Sequence, residues 1–120
     1  MSSRKRAVSL FSFALIVALA FAFSATAKDK TMTGRELYKE YCKRCHVVDS
    51  PNGEYTPMTL IQDQWKEFFD EQMIPAHKDV TDPDHGNRPV LELLTPEQLK
   101  TLRDWTIDHA ADSEHPMTCG

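Results

Sequence analysis

Two cysteines and a histidine stand close together in the segment Cys42-Lys43-Arg44-Cys45-His46. On a helix, residues three and four positions apart share one face, so the two thiols and the imidazole are predicted to point the same way. This spacing is typical of a covalent haem attachment site, in which both sulfurs bond to the porphyrin and the imidazole binds the iron. We therefore predict one haem c, attached through Cys42 and Cys45, with His46 as the proximal iron ligand.

The first 27 residues are typical of a secretory signal peptide. A basic segment at residues 4–6 precedes an apolar run over residues 7–23, and Ala25-Thr26-Ala27 is typical of a cleavage site. The pattern predicts export to the periplasm or another extracytoplasmic compartment. The alternative is an uncleaved membrane anchor, although the apolar run is short for a membrane span.

Cleavage would leave 93 of the 120 residues, with a haem domain over residues 28–111 and an irregular tail over 112–120. A domain of this size buries a modest core and usually needs a staple, which a covalent haem would provide. Three of the 14 basic residues lie in the signal, so 11 remain against 18 acidic residues, a net charge of −7. This charge argues against nucleic-acid binding and favours basic surfaces on redox partner proteins.

Hydrophobic periodicity predicts three helices and no strands. The first helix begins at a capping box at Thr33 and runs to His46. The second covers approximately residues 60–73, and the third begins at the capping residue Thr95. Residues 74–93 are predicted to be irregular, which suits a segment that wraps a ligand. The predicted fold class is all-α, a small helical domain wrapped around one covalent haem.

The arrangement resembles the small class I cytochrome c family over roughly residues 30–111. The resemblance implies that the first helix packs closely on the last one, through Gly34, Leu37 and Tyr38 on the first helix and Leu99, Leu102 and Trp105 on the last. It also implies that the carbonyl of Pro57, eleven residues after His46, accepts a hydrogen bond from the proximal imidazole. The implied function is electron transfer by a monohaem carrier that cycles between Fe(II) and Fe(III), rather than catalysis.

The second iron ligand is where the chain departs from this family, which usually places a methionine shortly before the last helix. Residues 74–93 contain no methionine, so the candidates are Met73 and His77. Met73 also fits the apolar stripe of the second helix as a packing residue. His77 lies on no apolar stripe, whereas His85 fits a turn better than a ligand. An open or water-bound sixth position is the remaining alternative.

Other functions use the same motif. A displaceable distal position would suit a haem-based gas-binding protein or a low-level peroxidase. The chain could also be the haem subunit of a larger membrane or periplasmic redox complex. A haem-free dithiol or zinc protein is disfavoured, because no strands surround the cysteines and the adjacent histidine and the signal peptide favour haem attachment.

Two further clusters carry titratable or metal-binding groups. Asp79, Asp82 and Asp84 lack the glycine and glutamate of a calcium loop, so they are predicted to form a solvated acidic segment. Near the C-terminus, four side chains are soft or borderline metal ligands: His109, His115, Met117 and Cys119. One interpretation is that they bind Cu(I) or Zn(II). The alternative is that the tail is an irregular end without a role. Cys119 is an odd thiol, which suggests pairing with a second copy of the chain or with a small thiol.

Overall fold

The structure is a computed structural model in which residues 31–118 are described. The predicted signal peptide, residues 1–27, and Cys119 lie outside the described residues. Within residues 31–118, no helix combines the length and the apolar character needed to cross a membrane.

Three helices carry the fold, and two of them contain a π-helical turn. Helix α1 is α-helical over Gly34–Leu37 and π-helical over Tyr38–Cys42. Helix α2 is α-helical over Gln62–Glu67, π-helical over Phe68–Gln72 and α-helical again over Met73–His77. Helix α3 is α-helical over Pro96–Asp108.

Short elements occupy the connections between the helices. Three 3-10 turns cover Pro57–Thr59, Pro83–His85 and Val90–Glu92. Strands β1 (Thr81–Asp82) and β2 (Arg88–Pro89) form an antiparallel pair that the sequence did not predict. Strands of two residues are too short to show the alternation by which strands are recognised in a sequence.

The predicted capping boxes start α1 and α3. The Thr33 hydroxyl accepts a hydrogen bond from the Glu36 N–H at 3.2 Å, and the Glu36 carboxylate accepts one from the Thr33 N–H at 2.8 Å. Thr95 and Gln98 make the same reciprocal pair, at 3.1 and 2.9 Å. Each pair satisfies backbone donors that a helix N-terminus leaves unpaired, which confirms both predicted starts.

Helix α2 is longer than the sequence predicted. The expected end near Met73 followed from Pro75, which has no N–H to donate and disfavours a helix through it. The structure continues the helix to His77, with the irregularity just before the proline: a π-helical turn ends at Gln72, whose φ is −111°. His77 consequently lies on the last turn of a helix rather than in a free loop.

The core is the crossing of α1 and α3. Leu37, Tyr38 and Leu102 are buried and form one apolar cluster, against which Trp105 packs. A Cβ placed on Gly34 would overlap the Cβ and Cγ atoms of Trp105 and would lie 3.1 Å from the Thr101 carbonyl oxygen. The close approach of the two helices therefore requires a glycine at position 34, and it holds the end of α1 in place.

Helix α2 is tied to α3 by polar contacts near its middle and at its start. Near its middle, Asp70 accepts two hydrogen bonds from the Arg103 guanidinium, at 3.0 and 3.1 Å. At its start, the Gln62 side chain donates to the Ile107 carbonyl at 3.2 Å. Surface ion pairs contribute little individually, so these contacts mainly fix the orientation of α2.

Gly34→Ala tests the helix crossing. We expect it to lower the free energy of unfolding by about 1–3 kcal/mol, because the added methyl group forces α1 away from Trp105. Denaturant unfolding of the purified mature protein measures the loss. Arg35→Ala, on the exposed neighbouring residue, is the matched control and should change stability by less than about 0.5 kcal/mol. Equal stability of Gly34→Ala and the native protein would contradict the crossing.

Candidate functional site

The two cysteines and the histidine lie where α1 ends. Regular helix stops at Cys42, four residues earlier than predicted, and hydrogen-bonded turns continue to His46. The Cys42 carbonyl accepts bonds from the N–H groups of Cys45 at 3.1 Å and His46 at 3.0 Å. These turns keep the three side chains together, and all three line the same cavity.

This cavity has a volume of about 800 Å³ and extends between α1, α2 and the segment that precedes α3. Its walls are mostly apolar, and the main contributors are Leu60, Trp65, Phe68, Phe69, Val90 and Leu94. Binding sites for small molecules and cofactors typically measure about 300–1,000 Å³ and combine apolar walls with a few placed polar groups. The cavity has the size and composition of a cofactor site, with the thiols and the imidazole as its reactive groups.

The hydrogen bond from the His46 ring differs from the one that the family resemblance implied. Nδ1 of His46 lies 3.0 Å from the Gly53 carbonyl oxygen. The Pro57 carbonyl instead accepts the indole N–H of Trp65 at 2.8 Å, in a buried contact. The predicted role of Pro57 is therefore corrected: Gly53 orients the His46 imidazole, and Pro57 orients a wall of the cavity.

The backbone at Gly53 explains why its carbonyl can reach the imidazole. Gly53 has a φ of +81°, in the left-handed region that side chains disfavour. The preceding turn is held against the cysteine motif, because the Ser50 hydroxyl donates to the Cys45 carbonyl at 2.5 Å. Since a carbonyl oxygen can only accept, the proton of a neutral His46 lies on Nδ1, and Nε2 keeps its lone pair.

Cys42 has a perturbed acidity. Burial raises the pKa of the Cys42 thiol to about 12, and the neighbouring Cys45 adds to the shift. The attacking cysteines of dithiol redox proteins require the opposite, a lowered pKa that supplies thiolate near neutral pH. The Cys42 thiol therefore lacks the lowered pKa that such proteins use.

Both candidates for the second iron ligand line the cavity. Met73 is buried, with 6% of its surface exposed, and continues the apolar stripe of α2. His77 lies one helical turn further on, and its ring centroid is 6.2 Å from that of His46. The structure thus brings together the cysteine motif, Met73 and His77 in one place.

His85 and Asp82 form a separate network outside this cavity. Asp82 was predicted to be solvated, but only 3% of its surface is exposed. Its carboxylate lies 2.8 Å from Nδ1 of His85, whose Nε2 lies 3.1 Å from a Glu40 oxygen. Burial alone would raise the pKa of Asp82, but the hydrogen bonds from His85 and from the Asp84 N–H hold it below its ordinary value. His85, with both ring nitrogens engaged, stabilises the loop, as its predicted turn position suggested.

The tail folds back on α3 instead of extending away. The Met117 N–H donates to the His109 carbonyl at 3.0 Å, and Nδ1 of His109 lies 2.8 Å from the Trp105 carbonyl oxygen. His109, His115 and Met117 line a second cavity of about 280 Å³, together with Arg35 and Lys39 on α1. Over residues 31–118, no cluster of three or more histidine, cysteine or acidic side chains is arranged to hold a metal ion.

Comparison of the chain with protein-family models, with curated proteins and with solved structures gives no match.

Gly53→Ala tests the orientation of the His46 imidazole. A side chain at φ +81° is strained by about 1–2 kcal/mol, and its Cβ would lie 3.0 Å from the Tyr55 ring, so we expect the carbonyl to turn away from His46. The ring ¹⁵N chemical shifts of His46 should move. Gly86→Ala is the matched control, because Gly86 also has a positive φ, +70°, and a Cβ added there would have no neighbouring atom within 4 Å. If the His46 ring ¹⁵N shifts move by the same amount in Gly53→Ala and in Gly86→Ala, the hydrogen bond between Gly53 and His46 is contradicted.

Asp82→Asn tests the loop network through pH. Because the pKa of Asp82 is lower in the folded chain, its stabilisation is present above the unfolded pKa of about 3.9 and is lost as the pH falls through the folded value. We expect the variant to be less stable by about 1–3 kcal/mol at neutral pH, with the difference shrinking below about pH 4. Urea unfolding between pH 3 and 7 measures it. Asp79→Asn, on an exposed carboxylate, is the control. A stability difference that does not change with pH would contradict a contribution from the charge of Asp82.

Proposed function

We propose that this chain is a monohaem c-type cytochrome, resembling the class I family, that carries electrons between redox partner proteins in an extracytoplasmic compartment. The observation that carries the proposal is the convergence of Cys42, Cys45 and His46 on one mainly apolar cavity of about 800 Å³. The basic and apolar N-terminal segment supports export. Export also provides the compartment in which c-type haem attachment takes place.

The donor set of the cavity fits a covalently attached haem. Cys42 and Cys45 are both partly buried and unpaired by any disulfide within residues 31–118. Each thiol would add its S–H across a vinyl C=C bond of the porphyrin, forming an S–C bond and placing the hydrogen on the adjacent carbon. This addition needs no oxidant and has no leaving group. His46, with Nδ1 held by Gly53, would offer Nε2 to the iron.

The bound haem would supply a one-electron Fe(II)/Fe(III) couple, and the chain's own residues would set its environment. The apolar walls exclude water and lower the local dielectric constant, which is one way in which a protein tunes a haem potential. The hydrogen bond between Gly53 and His46 fixes the plane of the imidazole and raises its basicity. Trp65, anchored through its indole N–H to Pro57, keeps one wall rigid.

Substitution of the cysteines tests the attachment. We expect Cys42→Ala and Cys45→Ala each to leave a single thioether, and the double variant to carry no covalent haem. The pyridine haemochrome spectrum should shift stepwise, because each lost thioether restores one vinyl group to the conjugated ring. Lys43→Ala, between the two cysteines, is the matched control and should retain both bonds. Identical spectra for native protein and single variants would refute attachment at these thiols.

Carbon monoxide separates the carrier from the gas-binding alternative. A carrier with two strong protein ligands should bind carbon monoxide slowly and incompletely after reduction at neutral pH. Rapid and complete binding, followed by stopped-flow absorption, would instead favour a gas-binding protein or a peroxidase. Co-purification from native membranes would distinguish a subunit of a larger redox complex from an independent carrier.

A further inference from the structure

His77 is held in a defined orientation by its own helix. It lies on the last turn of α2, and its Nδ1 is 2.7 Å from the Met73 carbonyl oxygen. Because the carbonyl can only accept, a neutral His77 carries its proton on Nδ1 and leaves the Nε2 lone pair free. The Phe68 ring meets the imidazole edge-on, with centroids 6.5 Å apart. Metal-binding histidines commonly show this arrangement, in which the second ring nitrogen donates to a backbone carbonyl.

The two histidines that line the cavity, His46 and His77, make the same type of hydrogen bond. Each engages Nδ1 with a backbone carbonyl, Gly53 for His46 and Met73 for His77, and each therefore has Nε2 available. Their rings lie 6.2 Å apart between centroids and are inclined by 79°. When two imidazoles bind one metal ion, each metal–nitrogen bond is about 2 Å long. Adding the distance from each bound nitrogen to the centre of its ring gives a separation of about 6 Å between the two ring centroids. The observed spacing matches this value.

Met73 has a different role in the structure from that of His77. Its backbone carbonyl positions His77, and its side chain is buried as part of the apolar stripe. Residues four apart on a helix stack on the same face, so Met73 lies beneath His77. These contacts make Met73 a packing and positioning residue for the histidine that follows it.

The geometry points to His77 as the second axial ligand of the haem iron, opposite His46. This inference rests on the proposed function. Imidazole stabilises ferric iron relative to a thioether, so a His/His site has a lower reduction potential than a His/Met site. The partners would accordingly be low-potential donors and acceptors. Class I-like packing at Gly34 would then be combined with an axial ligand set that differs from the usual one of that family.

The test begins with the native, haem-loaded protein and needs no substitution. Near-infrared magnetic circular dichroism of the ferric form reports the axial pair. We expect the low-spin bands of a bis-imidazole site and no methionine–iron charge-transfer band. A methionine–iron band would overturn the assignment while leaving the c-type cytochrome intact.

Variants then identify the residue. We expect His77→Ala to convert the ferric iron to high spin, bind carbon monoxide rapidly once reduced, and return to low spin when imidazole is added. His77→Met should raise the midpoint potential. Met73→Leu, which conserves volume, tests the competing ligand and should remain bis-imidazole and low-spin. His85→Ala, outside the cavity, is the control and should behave in the same way.

The outcomes separate the two levels of the proposal. A low-spin His77→Ala variant that still carries haem would exclude His77 as a ligand without affecting haem attachment. Loss of low spin in Met73→Leu together with a methionine–iron band in the native protein would assign Met73 instead. A purified protein without covalent haem would overturn both the ligand assignment and the proposed function.

Discussion

A large apolar cavity is the constraint around which the rest of this structure is arranged. Leu37, Leu102 and Pro57 are the largest fully buried side chains in residues 31–118, and Leu102 and Pro57 line the cavity together with several aromatic and aliphatic residues. Leaving such walls in water costs about 25 cal/mol for each Å² of apolar surface. A small domain that places its aromatic side chains around a cavity of about 800 Å³ gains much of its core from whatever fills that cavity. The proposed covalently attached haem, flat and apolar, would meet this requirement.

Contacts between the helices hold the cysteine motif and His77 in position along this cavity. Gly34 lets α1 approach Trp105, which fixes the end of the helix that carries the cysteine motif. On the other side, α2 is oriented by the Asp70–Arg103 pair and presents His77 from its last turn. The loop that precedes α3 is joined to α1 by the contact between His85 and Glu40 at 3.1 Å, and to the turn after α1 by the ion pair between Arg44 and Asp84 at 3.2 Å. The three walls are thus held by independent interactions.

Local sequence patterns predicted those parts of the molecule that depend on local chemistry. The capping boxes at Thr33 and Thr95 and the three helices follow from side chains three or four residues apart. The clustering of Cys42, Cys45 and His46 on one side follows from the same spacing. The resemblance to a known family added the close helix crossing, which depends on a contact between residues that are distant in the sequence.

The features that were missed depend on backbone conformation or on distant partners. The Pro57 carbonyl was assigned to the imidazole, but the Trp65 indole competes for it, and the left-handed Gly53 supplies the carbonyl instead. Continuation of α2 through Pro75 could not be read from a residue that usually ends helices. Asp82 was placed in solvent because single charges usually are, whereas its burial depends on the two hydrogen bonds made by His85 and the Asp84 N–H.

Mass spectrometry of the native protein, exported from a host with working haem maturation, distinguishes a haem-loaded chain from a haem-free one. We expect a mature chain that begins near Lys28 and carries one added haem, with the added mass on the peptide that contains residues 42–46. An unmodified mass on that peptide, from a host that matures other c-type cytochromes in the same cells, would contradict it.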